Sequence, residues 1–213
     1  IYSEAMAEFM ETFSRVAMPA YLPHAFFIEG GALAVENSLK AAFDWKVKRN
    51  FEAGLKEETG HQIIHFKQAF HGRSGYTLSL TNTADPRKTR YFPVFNWPRI
   101  TNPKLTFPLT EERLNHTIAL EKEAVSQIKA AISEFGKDLA GLIIEPIQGE
   151  GGDNHFRDEF FIELRTLCDE NDILFIMDEV QSGIGLTGKF WAHEHTPVTP
   201  DLLSFGKKTQ VCG

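Results

Sequence analysis

The chain has 213 residues, 42% of them hydrophobic and 24% charged, a globular balance with length enough for a sizeable core. Its net charge of −7 argues against a nucleic-acid-binding surface. No apolar run is long enough to cross a membrane, and the amphipathic start carrying Glu4, Glu8 and Glu11 does not fit a signal peptide.

Two cysteines, Cys168 and Cys212, lie far apart, which fits a reducing cytoplasm better than a disulfide framework. By length the chain is one large domain or two small ones. A start on Ile1 and a stop at "VCG" read as a piece of a longer protein.

In chain order, Met6, Phe9, Met10, Phe13 and Val16 recur at helical spacing and predict a helix over 3–17. "AFFI" (25–28) predicts a short buried strand, broken by "EGG". Residues 32–50 predict a long helix with Leu39, Phe43 and Val47 on one face. "QIIHFK" (62–67) predicts a strand. Residues 90–108 hold four of the ten prolines among many aromatics, so they predict an irregular surface excursion. A helix over 110–135, a strand over 141–146, a helix over 157–171 and strands over 173–179 and 201–206 follow. The strands are continuous apolar runs, as expected for burial on both faces. The expected fold class is α/β, a mostly parallel sheet flanked by crossover helices.

Ligands of such sheets bind beyond the carboxyl ends of the strands. There the sequence delivers Gly30-Gly31 after "AFFI" and "QAFHGR" after the 62–67 strand. Glu145 and "QGEGG" follow the third strand, Asp178, Glu179 and Gln181 the fourth, and Lys207 and Lys208 the fifth. Together these outline an active site at one rim.

A buried lysine near a carboxylate in such a place points to carbonyl chemistry, since desolvation lowers a lysine's pKa and frees its amine for a Schiff base. Pyridoxal phosphate needs both groups: a lysine to hold it and an acid to keep its pyridine nitrogen protonated. Asp178, at a rigid strand end, suits the second task. Read alone, Asp178 or Glu179 serves equally well as a cap or a surface ion pair. Gly30-Gly31-Ala32 before a helix suits phosphate, because small residues let the backbone N–H groups approach an anion. It is also what a plain helix entry looks like.

"GIGLTG" (183–188) matches G-x-G-x-x-G in form. The dinucleotide fingerprint follows its strand directly and opens a helix, with an acid about 20 residues on. Here "DEVQS" intervenes and no helix is expected after Gly188, so the glycines read as a loop beside the site. Phe70 could stack on a flat ring or belong to the core. Arg73 could meet a carboxylate in bidentate fashion. His71 reads as a structural histidine, Cys168 as core. The remaining histidines, including His193 and His195, show no metal-ligand spacing.

"EGGALAVENSLKAAFDWK", "FHGRSGYTLSLTNT", "EPIQGEGG", "MDEVQSGIGLTGKFWAHEH" and "PDLLSFGKKTQVCG" together resemble the class III, ornithine-type aminotransferases of the pyridoxal-phosphate fold type I group. "GGALAVEN" and "FGKKTQVCG" point to the lysine branch. The resemblance spans nearly all of the chain. It implies that Lys207 carries the cofactor and shuttles the proton, and that Asp178 holds the ring nitrogen. Val180 and Phe70 would pack on the two ring faces, Gln181 would bond the ring hydroxyl, and Gly31 and Ala32 would cradle the phosphate. Arg73, Glu145 and Glu150 would line the substrate side. Glu150 would mask an arginine when lysine binds and move aside for 2-oxoglutarate. The implied reaction moves the ε-amino group of L-lysine to 2-oxoglutarate in a homodimer.

The resemblance also implies that residues 1–213 are a partial large domain, with an N-terminal segment and a C-terminal small domain outside them. The family's usual phosphate segment is Ser-Gly-(Ser/Thr)-Glu-Ala. Here it is Glu29-Gly30-Gly31-Ala32-Leu33-Ala34, which leaves phosphate binding to backbone N–H groups. Lys207 and Lys208 are adjacent, and only the family register favours Lys207. Other ω-amino donors, ornithine or 4-aminobutyrate, remain open. So does a nicotinamide-binding oxidoreductase built on "GIGLTG".

Overall fold

The computed structural model describes residues 3–213. Helix α1, Glu4–Val16, starts where the Ser3 hydroxyl oxygen accepts the N–H of Met6, and buries Phe13. Helix α2, Gly31–Glu52, turns Val35, Leu39 and Ala42 inward. Strand β1 is Gln62–Phe66, helix α3 Gly75–Leu80 and strand β2 Arg99–Ile100. Helix α4, Glu111–Phe135, opens on Thr110, whose side chain accepts the N–H of Arg113, with Glu111 and Glu112 suiting the positive end of the helix dipole. Strand β3, Leu139–Ile144, helix α5, Asp158–Glu170, and strands β4, Leu174–Asp178, and β5, Leu202–Ser204, complete the order.

Among the described residues the five strands form one all-parallel sheet in the order β2-β1-β3-β4-β5. The expected α/β class is therefore observed. Alternate residues of each apolar run enter different cores. Ile63, Ile143 and Ile176 pack on the α2 side with Val35, Leu39 and Ala42. Ile64, Leu142, Ile144, Phe175 and Met177 pack on the α4–α5 side with Ile128, Phe160 and Leu164. Each such buried side chain contributes about 1.5–3 kcal/mol of hydrophobic stabilisation. This two-sided burial is why the strands lack polar alternation.

The strand order reverses direction at β1. The chain moves outward from β1 to β2, then returns to place β3 on β1's other side. The crevice between β1 and β3 is thus a topological switch point, where open α/β sheets receive ligands.

Three local expectations need correction. Residues 25–28 are not a sheet strand. Ile28 makes one isolated antiparallel bridge to Cys212, and Phe27 packs with Phe9, Phe13 and Phe205 in a satellite core beside β5. The apolar run records that cluster rather than a ladder. The 90–108 excursion contributes β2, pairing Arg99 with His65 and Ile100 with Phe66. Helix α3 was not expected. It has six residues and opens where Ser74 and Thr77 hydrogen-bond reciprocally.

Candidate active site

Alternation along the strands decides where the terminal acids go. Asp178 lies two residues beyond Ile176, and Glu145 two beyond Ile143, so both carry on the α2-facing parity. Oδ2 of Asp178 lies 2.7 Å from Nδ1 of His71, and Oδ1 accepts the N–H of Val180 at 3.0 Å. A carboxylate accepts, so Nδ1 carries the hydrogen. Burial opposes charging the His71 imidazole, but the Asp178 hydrogen bond and the charges of Asp178 and Glu145 outweigh it and raise its pKa above the ordinary histidine value. Among the described residues His71 Nε2 is buried without a partner. The histidine read as structural is thus the direct partner of the key acid.

Glu145 closes the switch point. Its Oε1 accepts the N–H of Phe70 at 2.8 Å, tying the end of β3 to the segment after β1. Burial pushes its carboxyl up to about 8, and the Asp178 charge adds to that. The His71 charge and the N–H groups of Phe70 and Gly149 oppose it. Glu145 was expected on the substrate side. At 4% exposure its carboxyl is taken up by the N–H of Phe70, on the same strand parity as Asp178.

The Gly30–Ala32 segment enters α2 at close quarters. Gly30 has φ 93°, a conformation that favours glycine. A Cβ on Gly31 would lie 2.6 Å from Val180 Cγ1, so no larger residue fits while Val180 keeps its place. A Cβ on Gly72 would lie 2.6 Å from the Ala32 Cβ, and one on Gly206 3.6 Å from the Gly31 Cα. The start of α2 is therefore wedged between the ends of β1, β4 and β5. The first turn of α2 carries no acidic side chain, and its leading N–H groups have no intrahelical acceptor. Such an end can accept an anion.

Lys207 follows β5 with φ 54°, a strained conformation for a non-glycine residue. Its side chain is exposed rather than buried as expected, and its Nζ donates to Gln181 Oε1 at 2.6 Å. Lys208 Nζ donates to the Gln181 main-chain carbonyl. Both lysines converge on one residue. Gln181, expected against a ring hydroxyl, holds an amine here.

Of the remaining expected residues, Phe70 and Glu150 share Lys88 as a neighbour. Phe70 is half-buried, with Lys88 Nζ 5.7 Å from its ring centroid. Glu150 accepts from Lys88 Nζ at 2.5 Å and from the Thr83 hydroxyl at 2.8 Å, beside a cavity of about 340 Å³ that Gln68, Asn82 and Asp85 also line. Among the described residues its cationic partner is therefore a lysine, a position that sequence reasoning did not single out. Arg73 is exposed.

Glu179 turns away from all of this. It is fully buried and accepts from the N–H groups of Ala192 and His193 at 2.6 and 2.8 Å, and from His193 Nδ1 at 2.6 Å. The Tyr21 hydroxyl meets the other His193 nitrogen at 2.7 Å. The "GIGLTG" segment runs through turns into a short 3-10 helix, Ala192–His195, and opens no α-helix. The geometry of a dinucleotide fingerprint is not formed.

These residues fit pyridoxal phosphate. A buried carboxylate backed by an imidazole can hold a ring nitrogen, a glycine-lined helix start can take a phosphate, and an amine-bearing side chain lies at the adjacent strand end.

A family model described as aminotransferase class-III matches residues 1–212. The L-lysine-epsilon aminotransferase of Mycobacterium tuberculosis is 57% identical over 213 residues, covering 100% of this chain and 46% of that protein. The L-lysine-epsilon aminotransferase of Streptomyces clavuligerus is 51% identical over 218 residues, with shares of 100% and 46%. A solved structure, lysine aminotransferase from M. tuberculosis in the internal aldimine form, superposes with a TM-score of 0.95 at 57% identity, covering 100% of this chain and 48% of its own. The chain spans about half the length of these relatives.

Proposed function

This chain belongs to the class-III aminotransferases, and from that premise we propose that it forms most of the cofactor-binding large domain of an L-lysine ε-aminotransferase. The complete enzyme moves the ε-amino group of L-lysine to 2-oxoglutarate, giving 2-aminoadipate 6-semialdehyde and glutamate. The observation that carries this reading is one convergence. Asp178 with its His71 partner, the Gly31–Val180 contact at the start of α2, and Lys207 on Gln181 meet at one sheet rim. The names and identities of the relatives support lysine as the donor.

When bound, pyridoxal phosphate supplies an electron sink for the carbon that carries the transferred amino group. Asp178 holds the proton on the ring nitrogen, and His71 fixes the Asp178 carboxylate in position. The N–H groups of Gly31 and Ala32, with the helix dipole, bind the phosphate. Val180 and Phe70 pack against the ring and exclude water. Lys207 Nζ would hold the cofactor and could move a proton at the reacting carbon. Gln181 orients that amine. Arg73 meets a substrate carboxylate, and Glu150 accommodates substrates of different charge by changing partner. We place the enzyme in the cytoplasm as a homodimer.

Borohydride reduction after adding pyridoxal phosphate, followed by peptide mass mapping, tests the site. The expected result is one phosphopyridoxyl label, on Lys207, absent from Lys207→Ala. A label on Lys208 would move the catalytic lysine by one residue. No label on the complete protein, or binding of NAD instead, would overturn the reading. A donor panel of lysine, ornithine and 4-aminobutyrate then tests the substrate.

A further inference from the structure

Beneath the proposed cofactor seat lies a cluster with an uneven charge count. His71, Asp178 and Glu145 come from the ends of β1, β4 and β3, and are 2%, 4% and 4% exposed. The His71 imidazole is committed to Asp178 at 2.7 Å. Among the described residues Glu145 has backbone N–H partners and no cation of its own, and the charges acting on it are those of His71 and Asp178. Behind His71 on β1 stands His65. Burial and the neighbouring Arg99 hold it neutral, at about 3, and Arg99 Nε donates to its Nε2 at 3.1 Å. His65 therefore adds no charge at neutral pH. Two ionised carboxylates against one imidazolium would leave a net buried negative charge, which a low-dielectric site strongly disfavours.

We propose that Glu145 rests as a neutral, protonated carboxylic acid and gives up that proton when a cationic ring nitrogen is set against Asp178. The proposal rests on the pyridoxal-phosphate reading above. Counted as the imidazolium–carboxylate ion pair that their 2.7 Å hydrogen bond favours, His71 and Asp178 sum to zero with a neutral Glu145. A pyridinium brought to Asp178 makes the sum +1. Loss of the Glu145 proton to solvent restores it to zero, and no other bond is made or broken. The anion so formed has its acceptors' partners in place, the N–H groups of Phe70 and Gly149. Loading the ring therefore tightens the hold on Phe70. Glu145 is a positioning residue here: it acts through Asp178 and Phe70 and touches no reacting atom.

Calorimetric titration of the complete, cofactor-free protein with pyridoxal phosphate, in two pH 7 buffers of different ionisation enthalpy, counts the protons released. Wild type should release nearly one proton more than Glu145→Gln; protons exchanged by the cofactor and Lys207 cancel in that difference. Equal counts would show that Glu145 gives up no proton and would overturn the proposal. Infrared spectroscopy gives a second readout that needs no stable variant. Wild type without cofactor should show the carbonyl stretch of a protonated buried carboxyl, and this band should vanish on loading. Absence of the band before loading overturns the proposal even if the cofactor binds. Failure of wild type to bind pyridoxal phosphate would instead sink the functional reading, while the band still decides the resting state of Glu145.

Discussion

Asp178 and Glu179 are neighbours in the chain, yet their carboxylates serve opposite sides of the end of β4. Asp178 meets His71 at the proposed cofactor seat, and Glu179 meets His193 and the backbone of the following loop. Strand parity sends consecutive side chains to opposite faces. An apolar run ending on two acids thus supplies one acid for chemistry and one for architecture.

Asp178→Asn separates charge from shape. The amide oxygen still accepts from His71, but the ring nitrogen loses its anionic partner. A hydrogen bond to a charged group is worth about 1.5–3 kcal/mol, so affinity for pyridoxal phosphate should fall about 10- to 100-fold. Absorbance titration measures this, and unchanged affinity would contradict the role of Asp178.

Glu179→Ala should act on stability instead. It strips three hydrogen-bond donors of their acceptor inside a fully buried site. Each orphaned donor costs about 1–3 kcal/mol, so a loss of about 3 kcal/mol or more is expected in urea denaturation. A stability within 0.5 kcal/mol of wild type, on the order of surface substitutions, would show that the loop finds other partners.

Gly31→Ala should disturb the start of α2, because its Cβ would lie 2.6 Å from Val180 Cγ1. Overpacking of this kind costs about 1–3 kcal/mol. Adding Val180→Ala should recover part of the melting temperature in a double-mutant cycle. Additive losses would mean that the two sites do not share the space.

Glu145 makes stability depend on pH. Its folded value of about 8 lies above the ordinary 4.5, so the native state keeps a proton that the unfolded chain releases. That contribution is complete below about pH 4.5 and is lost as pH rises through about 8. Without cofactor, wild-type stability should therefore decline across this window relative to Glu145→Gln, by a few kcal/mol at most. Parallel pH profiles of the two proteins would refute it.

Much of this frame was legible in the sequence because long periodic segments carry their own evidence. Helices α2 and α4 and strands β1, β3 and β4 lie within a few residues of their expected bounds. Asp178, Gly30-Gly31 and the Lys207–Lys208 pair stood out because strand ends and glycine breaks mark a rim, though only family register chose between the two lysines. Short elements left no such signal: β2 has two residues and exists because β1 pairs with it. The partnership of His71 with Asp178 spans 107 positions, beyond any spacing argument. The direction of Glu145 depended on which face α2 covers, which is a tertiary fact.

The clamp at Glu179 also bears on the integrity of the covalent chain. Its bond to His193 closes a 14-residue loop whose tip, near Leu186 and Lys189, is exposed. Everything after that tip is held without the loop. β5 pairs with β4, Trp191 and Phe205 share a core with Phe13, and Trp191 Nε1 donates to the Ala17 carbonyl at 2.6 Å. Trypsin cutting at Lys189 should therefore give two peptides on a denaturing gel but one particle in native sizing. Asp178 would then sit on one peptide and Lys207 on the other. The loop is a natural place to split the chain into two complementing pieces, each carrying part of one site.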